Sequence, residues 1–334
     1  MTRRWIEIGL AATALLLGVV VGGRAQSSSV PRTPWGAPDL QGTWTNATLT
    51  PLQRPAALAG KEVFTPDEAA AYVKARVEQA SAPPARPAPG ATPNVGSYND
   101  VFMERGVGVV KSLRTSLVIE PKDGRVPPMT PAAQEKWAAI RADRALHPAD
   151  GPENRSMLER CLLFGAAGPP MLPEPYNANY QIVQTRDYVV ILVEMVHDAR
   201  IIPLDGRPHL PAGTTRWLGD SRGHWEGDTL VVETTNLRFD NHGSRFGVGY
   251  DTMSDENLKV VERFTRTDAM TITYRATIED PTVFVSPWTL EMSMAQAKGP
   301  VLEYACHEGN YGLPNILSGA RAEEKATGTS ARRP

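Results

Sequence analysis

From residue 180 onward, apolar and polar positions alternate in short runs, the period-two pattern of strands with one buried face. Runs 180–184, 188–194 and 197–203 are rich in Val and Ile, and Asp205-Gly206 follows as a turn dipeptide. Segments 216–225 and 229–236 flank Glu226-Gly227-Asp228, a hairpin signal, and 258–265 and 270–278 flank residues 266–269 in the same way. Runs 283–292 and 302–307 complete the series. Upstream, residues 39–45 read as a first strand, and the stretch from Ile119 to Pro127 reads as a strand, an Asp-Gly turn and an extended exit. Strands that follow one another through hairpin-length turns, without helices between them, specify an antiparallel meander. The predicted fold is therefore mainly β, closing into a barrel or a strongly bent sheet.

Two helices interrupt this plan. Thr65-Pro66-Asp67-Glu68 is a capping box with Pro at the first helical position, so a helix is expected over 65–80, and Thr130-Pro131 opens a second over 130–146. Residues 82–96 between them are too rich in Pro to sustain regular hydrogen bonding and read as an extended loop. One β-rich domain over 38–320 follows from this organisation, with a Pro/Ser-rich lead at 26–37 and a flexible, charged tail at 321–334.

The first residues read differently. Arg3 and Arg4 precede an apolar run from 8 to 21, which ends in small residues before Gln26, the order of a secretory signal peptide covering 1–25. An uncleaved anchor is the alternative, since 5–23 nearly reaches the roughly 20 apolar residues that span a bilayer, but Glu7 and the small residues oppose it. After removal of the signal no stable membrane insertion is expected. The 35 Lys and Arg then lose Arg3, Arg4 and Arg24, and the 37 Asp and Glu lose Glu7, which leaves 32 against 36 and a net charge of −4. That balance offers nothing to neutralise phosphates, so nucleic acid is excluded as a partner. The two cysteines, Cys161 and Cys306, lie in the exported part, and one disulfide between them is the economical reading, with two buried free thiols as the alternative.

Candidate chemistry centres on histidine. The sequence has no H-E-x-x-H, no G-x-S-x-G and no Gly-rich loop leading into a helix, so no metal or cofactor is assigned. In Glu194-Met195-Val196-His197-Asp198-Ala199-Arg200, period-two alternation puts Glu194, Asp198 and Arg200 on one solvated face and His197 on the apolar face with Met195 and Ile201. A desolvated, neutral imidazole can act as a general base, and the alternative is a core histidine satisfied by a backbone carbonyl. His307 adjoins Cys306 at the expected end of the last strand, where Glu308 or Asn310 can orient its ring; a capped strand end is the alternative. Trp225 and Trp288 are expected in the wall of a shared cavity, with Asn310 and Tyr311 beside it. His197, His307 and Glu308 are thus the catalytic candidates, and Trp225, Trp288, Asn310 and Tyr311 the ligand-binding ones. The carboxylates around the 226–228 turn fit no calcium loop.

Gly42-Thr43-Trp44 resembles the Gly-x-Trp opening of lipocalin-like barrels, in which the Trp closes the barrel floor, although no Arg ends the last expected strand to cover it. The blocks 201–209, 219–236 and 303–311 resemble a group of exported bacterial proteins of unassigned function, a likeness that covers most of residues 35–324 and implies a shared fold without an activity. Three functions stay open: a periplasmic or extracellular barrel that binds a small apolar or aromatic ligand in its interior; a His/carboxylate hydrolase, lyase or isomerase in the same cavity; and a non-catalytic envelope protein. The orientation of His197 discriminates between them, because a solvent-facing His197 makes ligand binding the default.

Overall fold

A computed structural model of the chain describes residues 30–81, 106–239 and 256–328. The expectations for the signal peptide, the Pro-rich loop and the last residues of the tail lie outside them. Ten strands form one antiparallel sheet: β1 (Gly42–Thr45), β2 (Val118–Glu120), β3 (Asn179–Gln184), β4 (Tyr188–Val193), β5 (Ala199–Pro203), β6 (Asp220–Glu226), β7 (Thr229–Thr235), β8 (Lys259–Asp268), β9 (Thr271–Glu279) and β10 (Trp288–Gln296). Nine of them run in the order β5-β4-β3-β1-β10-β9-β8-β7-β6, and β2 pairs with β10 beside that path. The two end strands come back into contact, so the sheet is a nearly closed barrel. Alternation sets its inner face: Tyr180 and Ile182, Val189 and Ile191, Leu230 and Val232, Phe264, Tyr274, and Leu290 and Met292 all point inward and are buried.

The seam between β5 and β6 is closed by side chains rather than by a hydrogen-bonded ladder. Ile202 and Leu204 lie over Gly223, where an added Cβ would stand 2.9 Å from Ile202 Cγ2 and 2.7 Å from Leu204 Cδ2. Gly223→Val is therefore expected to wedge the seam and lower stability by about 1–3 kcal/mol, the usual cost of overpacking. Urea denaturation measures this, and an unchanged midpoint would show that the seam has slack.

At the floor, Trp44 is fully buried and its indole N–H donates to Leu40 O at 2.9 Å. The Arg266 guanidinium sits 5.2 Å from the Trp44 ring centroid, so the cation covering this Trp comes from β8 and not from the last strand. Arg266 is fixed by the carbonyls of Asp39, Asp268 and Ala269.

The barrel interior also holds chain that is not strand. Residues 163–172, an apolar stretch of Leu, Phe, Gly, Ala, Pro and Met, are buried throughout. The Tyr274 hydroxyl accepts from Met171 N at 2.9 Å, Asn46 Nδ2 donates to Met171 O at 3.2 Å, and the Tyr180 hydroxyl donates to Ala166 O at 3.0 Å. These bonds satisfy backbone groups that no ladder reaches.

Helix α1 (Pro66–Ser81) begins with the expected box: Glu68 N donates to Thr65 Oγ1 at 3.3 Å and Thr65 N to Glu68 Oε2 at 2.8 Å. Helix α2 (Pro131–Leu146) is capped by Thr130 and buries Ala133 and Trp137. A third helix, α3 (Gly312–Thr327), takes in residues 321–327 of what the sequence suggests is a tail, and Arg321 ties it to Ala149 O and Asp150 O.

One expected strand is absent, whereas 188–194 and 197–203 are present as β4 and β5. The run 188–203 is a β4–β5 hairpin around a single 3-10 turn at Met195–His197, where Val196 and His197 take φ of 60° and 58°. Residues 302–307 form no strand, because their backbone is engaged elsewhere: Cys306 N donates to Tyr304 O at 2.9 Å in a tight turn, and Tyr304 bonds the His197 ring.

Candidate functional site

The left-handed turn resets the phase of the chain, and it inverts the predicted faces. Glu194 and Arg200 are buried, at 2% and 3% exposure, whereas His197 is exposed. The His197 ring does not enter the barrel: Nδ1 lies 3.0 Å from Tyr304 O, and Nε2 accepts from Tyr304 N at 3.0 Å. Tyr304 in turn packs edge-on against Phe164, with centroids 5.9 Å apart. His197 thus anchors the 304 segment to the β4–β5 loop, a structural role. His307 and Glu308 are exposed in the turn that follows Cys306, so the structure does not bring the two histidines into one cavity.

The disulfide is present. Cys161 and Cys306 are bonded with Cα atoms 5.8 Å apart. Asn310 is spent on the same junction, donating to Glu159 O at 2.8 Å and lying 3.5 Å from Cys161 Sγ. Tyr311 is 76% exposed before α3. Trp288 belongs to the core, edge-on to Phe284 at 6.0 Å, and Trp225 packs half-buried against that core.

Inside the barrel lies a polar hub. Arg200 Nη1 donates to Glu262 Oε1 at 3.0 Å and Nη2 donates to Oε2, with both side chains at 2% exposure or less. The Tyr274 hydroxyl donates to Glu262 Oε1 at 2.8 Å, and Ser221 and Thr234 bond each other at 2.8 Å beside Arg200. Burial alone would weaken the charge on Arg200, but Glu262 outweighs it and raises the guanidinium above its ordinary value. Burial pushes the Tyr180 and Tyr274 hydroxyls well above the usual phenol range. The hub is closed upon itself apart from Arg200 Nε, which has no partner.

Two clefts open at the barrel wall. One follows the β5–β6 seam and has a volume of about 560 Å³; Asp198, Arg200, Arg216 and Asp220 contribute to its lining. Burial raises the Asp198 carboxyl above the usual range. Asp220 is also opposed by burial, but the Leu210 N–H, His209 and Arg222 lower it overall. His209 Nδ1 is 2.9 Å from Asp220, and the acidic and basic side chains here are largely matched.

The second cleft is larger, about 1140 Å³, and lies where the last turns of α1 flank the outer side of β1, β3 and β10. Thr45, Asn179 and Ala295 line it from strand positions that alternate with the inward-facing Trp44, Tyr180 and Met294. Ala47, Leu49, Val77, Val107, Ala297, Pro300 and Leu302 make most of the remaining surface apolar. Glu194 is its acidic group: Asn177 Nδ2 donates to Oε1 at 2.5 Å and Asn179 Nδ2 to Oε2 at 2.9 Å. Glu194 N also donates to Asn179 O at 2.9 Å, so the hairpin register itself holds the carboxylate in place.

None of the sequence candidates lines either cleft. Glu194 and Asn179 do, and with Asn177, which bonds Glu194, they carry one sequence signal: two Asn spaced by two at a strand start, Asn177 with φ of 50°. Among the described residues no group of three or more His, Cys, Asp and Glu is placed to hold a metal ion, and no helix is long and apolar enough to cross a membrane. Fold and clefts define an antiparallel β-barrel with a packed core and a large lateral pocket. No protein-family model matches the chain, and neither a curated protein nor a solved structure is detectably similar to it.

Proposed function

We propose that the chain is an exported protein that binds a small, largely apolar or aromatic molecule in the lateral cleft beside α1. The observation that carries this reading is the cleft itself: about 1140 Å³, apolar over most of its lining, with one buried carboxylate among a few polar groups. That combination of size, apolar wall and sparse fixed polar groups is what small-molecule sites share. The disulfide and the N-terminal signal pattern support export. The cleft takes the place of the interior expected from the sequence, because Tyr180, Tyr274, Phe264 and the 163–172 segment fill the barrel. His197 faces solvent with its ring nitrogens engaged by Tyr304, so the histidine-based reading loses its main support.

The test uses N-phenyl-1-naphthylamine, an uncharged fluorophore whose emission rises in apolar surroundings. Saturable enhancement is expected with the purified protein. Ala297→Trp, which fills the cleft from its wall, should weaken binding at least tenfold while leaving the melting temperature in place. No saturable signal, or an unaffected Ala297→Trp variant, would reject the cleft as a ligand site.

A further inference from the structure

Two of the buried glutamates among the described residues, Glu262 and Glu194, are treated differently. Glu262 faces a guanidinium that neutralises it inside the polar hub. Glu194 is equally inaccessible, at 2% exposure, yet among the described residues no Lys, Arg or His forms an ion pair with it. Among the described residues its side-chain partners are the amides of Asn177 and Asn179, which are neutral donors. An ionised carboxylate has roughly four acceptor directions, and these two amides fill two of them. Removing such a charge from water is costly unless an opposite charge accompanies it.

The cleft is where that opposite charge can arrive. Glu194 contributes to the wall of a volume whose other lining is mainly aliphatic, and two neutral amides fix the direction of its oxygens. Arg76 and Lys298 also line the cleft, but both are exposed to solvent and neither bonds Glu194. Solvent screens such charges far more than it screens a buried one. We infer that Glu194 is the charge-recognition group of this site and that its ligand is an organic ammonium, a protonated primary or secondary amine carried on an apolar or aromatic body. The ammonium donates to the free acceptor directions of Glu194 while the apolar body covers Val77, Ala297 and Leu302. Charge-assisted hydrogen bonds of this kind are about twice as strong as neutral ones. This inference rests on the lateral cleft being a ligand site.

Two indoles that differ in charge test it by isothermal titration calorimetry at pH 7 on the full chain. Tryptamine, the ammonium, is expected to bind at least tenfold tighter than indole-3-propionate, the carboxylate. In Glu194→Gln the preference for tryptamine over indole-3-propionate should fall at least tenfold; Glu194→Asp should retain part of it. The selectivity of the unaltered chain needs no variant, so the test survives if either substitution prevents folding. Equal affinities for the two indoles, with the fluorophore still bound, would overturn the ammonium inference and leave the cleft as an apolar site. The same follows if Glu194→Gln keeps the preference. Loss of fluorophore binding in the unaltered protein would instead remove the cleft reading, and the ammonium inference with it.

Discussion

Glu262→Gln is expected to lower the stability of the protein by about 3–5 kcal/mol, the cost of breaking a buried ion pair by removing one partner. Arg200 would keep its charge without the carboxylate that balances it: its side chain is 2% accessible, and Ser221 and Thr234 at 3.5 and 3.4 Å are weak neutral substitutes. The Tyr274 hydroxyl would lose the carboxylate to which it donates at 2.8 Å, so the damage would reach Met171 on the enclosed segment. A paired replacement, Arg200→Met with Glu262→Leu, removes both charges together and should recover most of the loss. Urea denaturation followed by tryptophan fluorescence compares the three proteins. A single variant within 1 kcal/mol of the parent would mean that water reaches the pair and that the hub is less closed than its geometry shows.

Loss of the Cys161–Cys306 bond is expected to be as costly. The bond closes a separation of 145 residues, for which chain entropy gives about 5 kcal/mol. Cys161→Ala with Cys306→Ala should therefore lower the urea midpoint strongly, and the same shift should appear when the parent is unfolded under reducing conditions. The local effect is separable from the global one. The bond holds the 304 segment near Phe164 and the His197 ring, so hydrogen exchange at Tyr304 should accelerate in the double variant even in the absence of denaturant. Unaltered stability would place the anchoring of this segment in its packing and in the bonds from Asn310 rather than in the crosslink.

Most strands were legible because one face of each is buried, and burial on one face imprints alternation on the sequence. The positions of the hairpin turns were legible for a local reason too, as at Gly227, which takes a φ of 57° between β6 and β7. The candidate site was not legible. Val196 and His197 in the left-handed region shift the alternation of the 194–200 stretch, and nothing in their side chains announces it. Arg200 reads as a surface cation until Glu262, 62 residues later, is placed beside it. In 302–307, Leu302, Tyr304 and Cys306 mimic a strand, but they serve the cleft, the Phe164 ring and the disulfide respectively. Helix α3 begins with Gly312 and Pro314 close together, which obscures its start. Glu194 was placed correctly beside chemistry but on the wrong face, and its value as a ligand contact depends on a cleft assembled from segments far apart in the chain.

The enclosed 163–172 segment makes the barrel indivisible. It precedes β3 in the chain, yet its backbone is held from both sides of the sequence, by Asn46 on the N-terminal side and by Tyr274 in β9, 103 residues further on. A fragment that stops before β8 would carry Met171 and Leu172 without the wall that covers them, and a fragment that starts after residue 178 would be a hollow shell without filling. Attempts to dissect the chain into smaller autonomous pieces should accordingly keep residues 40–296 together, and insertions belong in the connections outside that wall, such as the Gly206 and Gly213 turns, where an added side chain meets no neighbour within 4 Å.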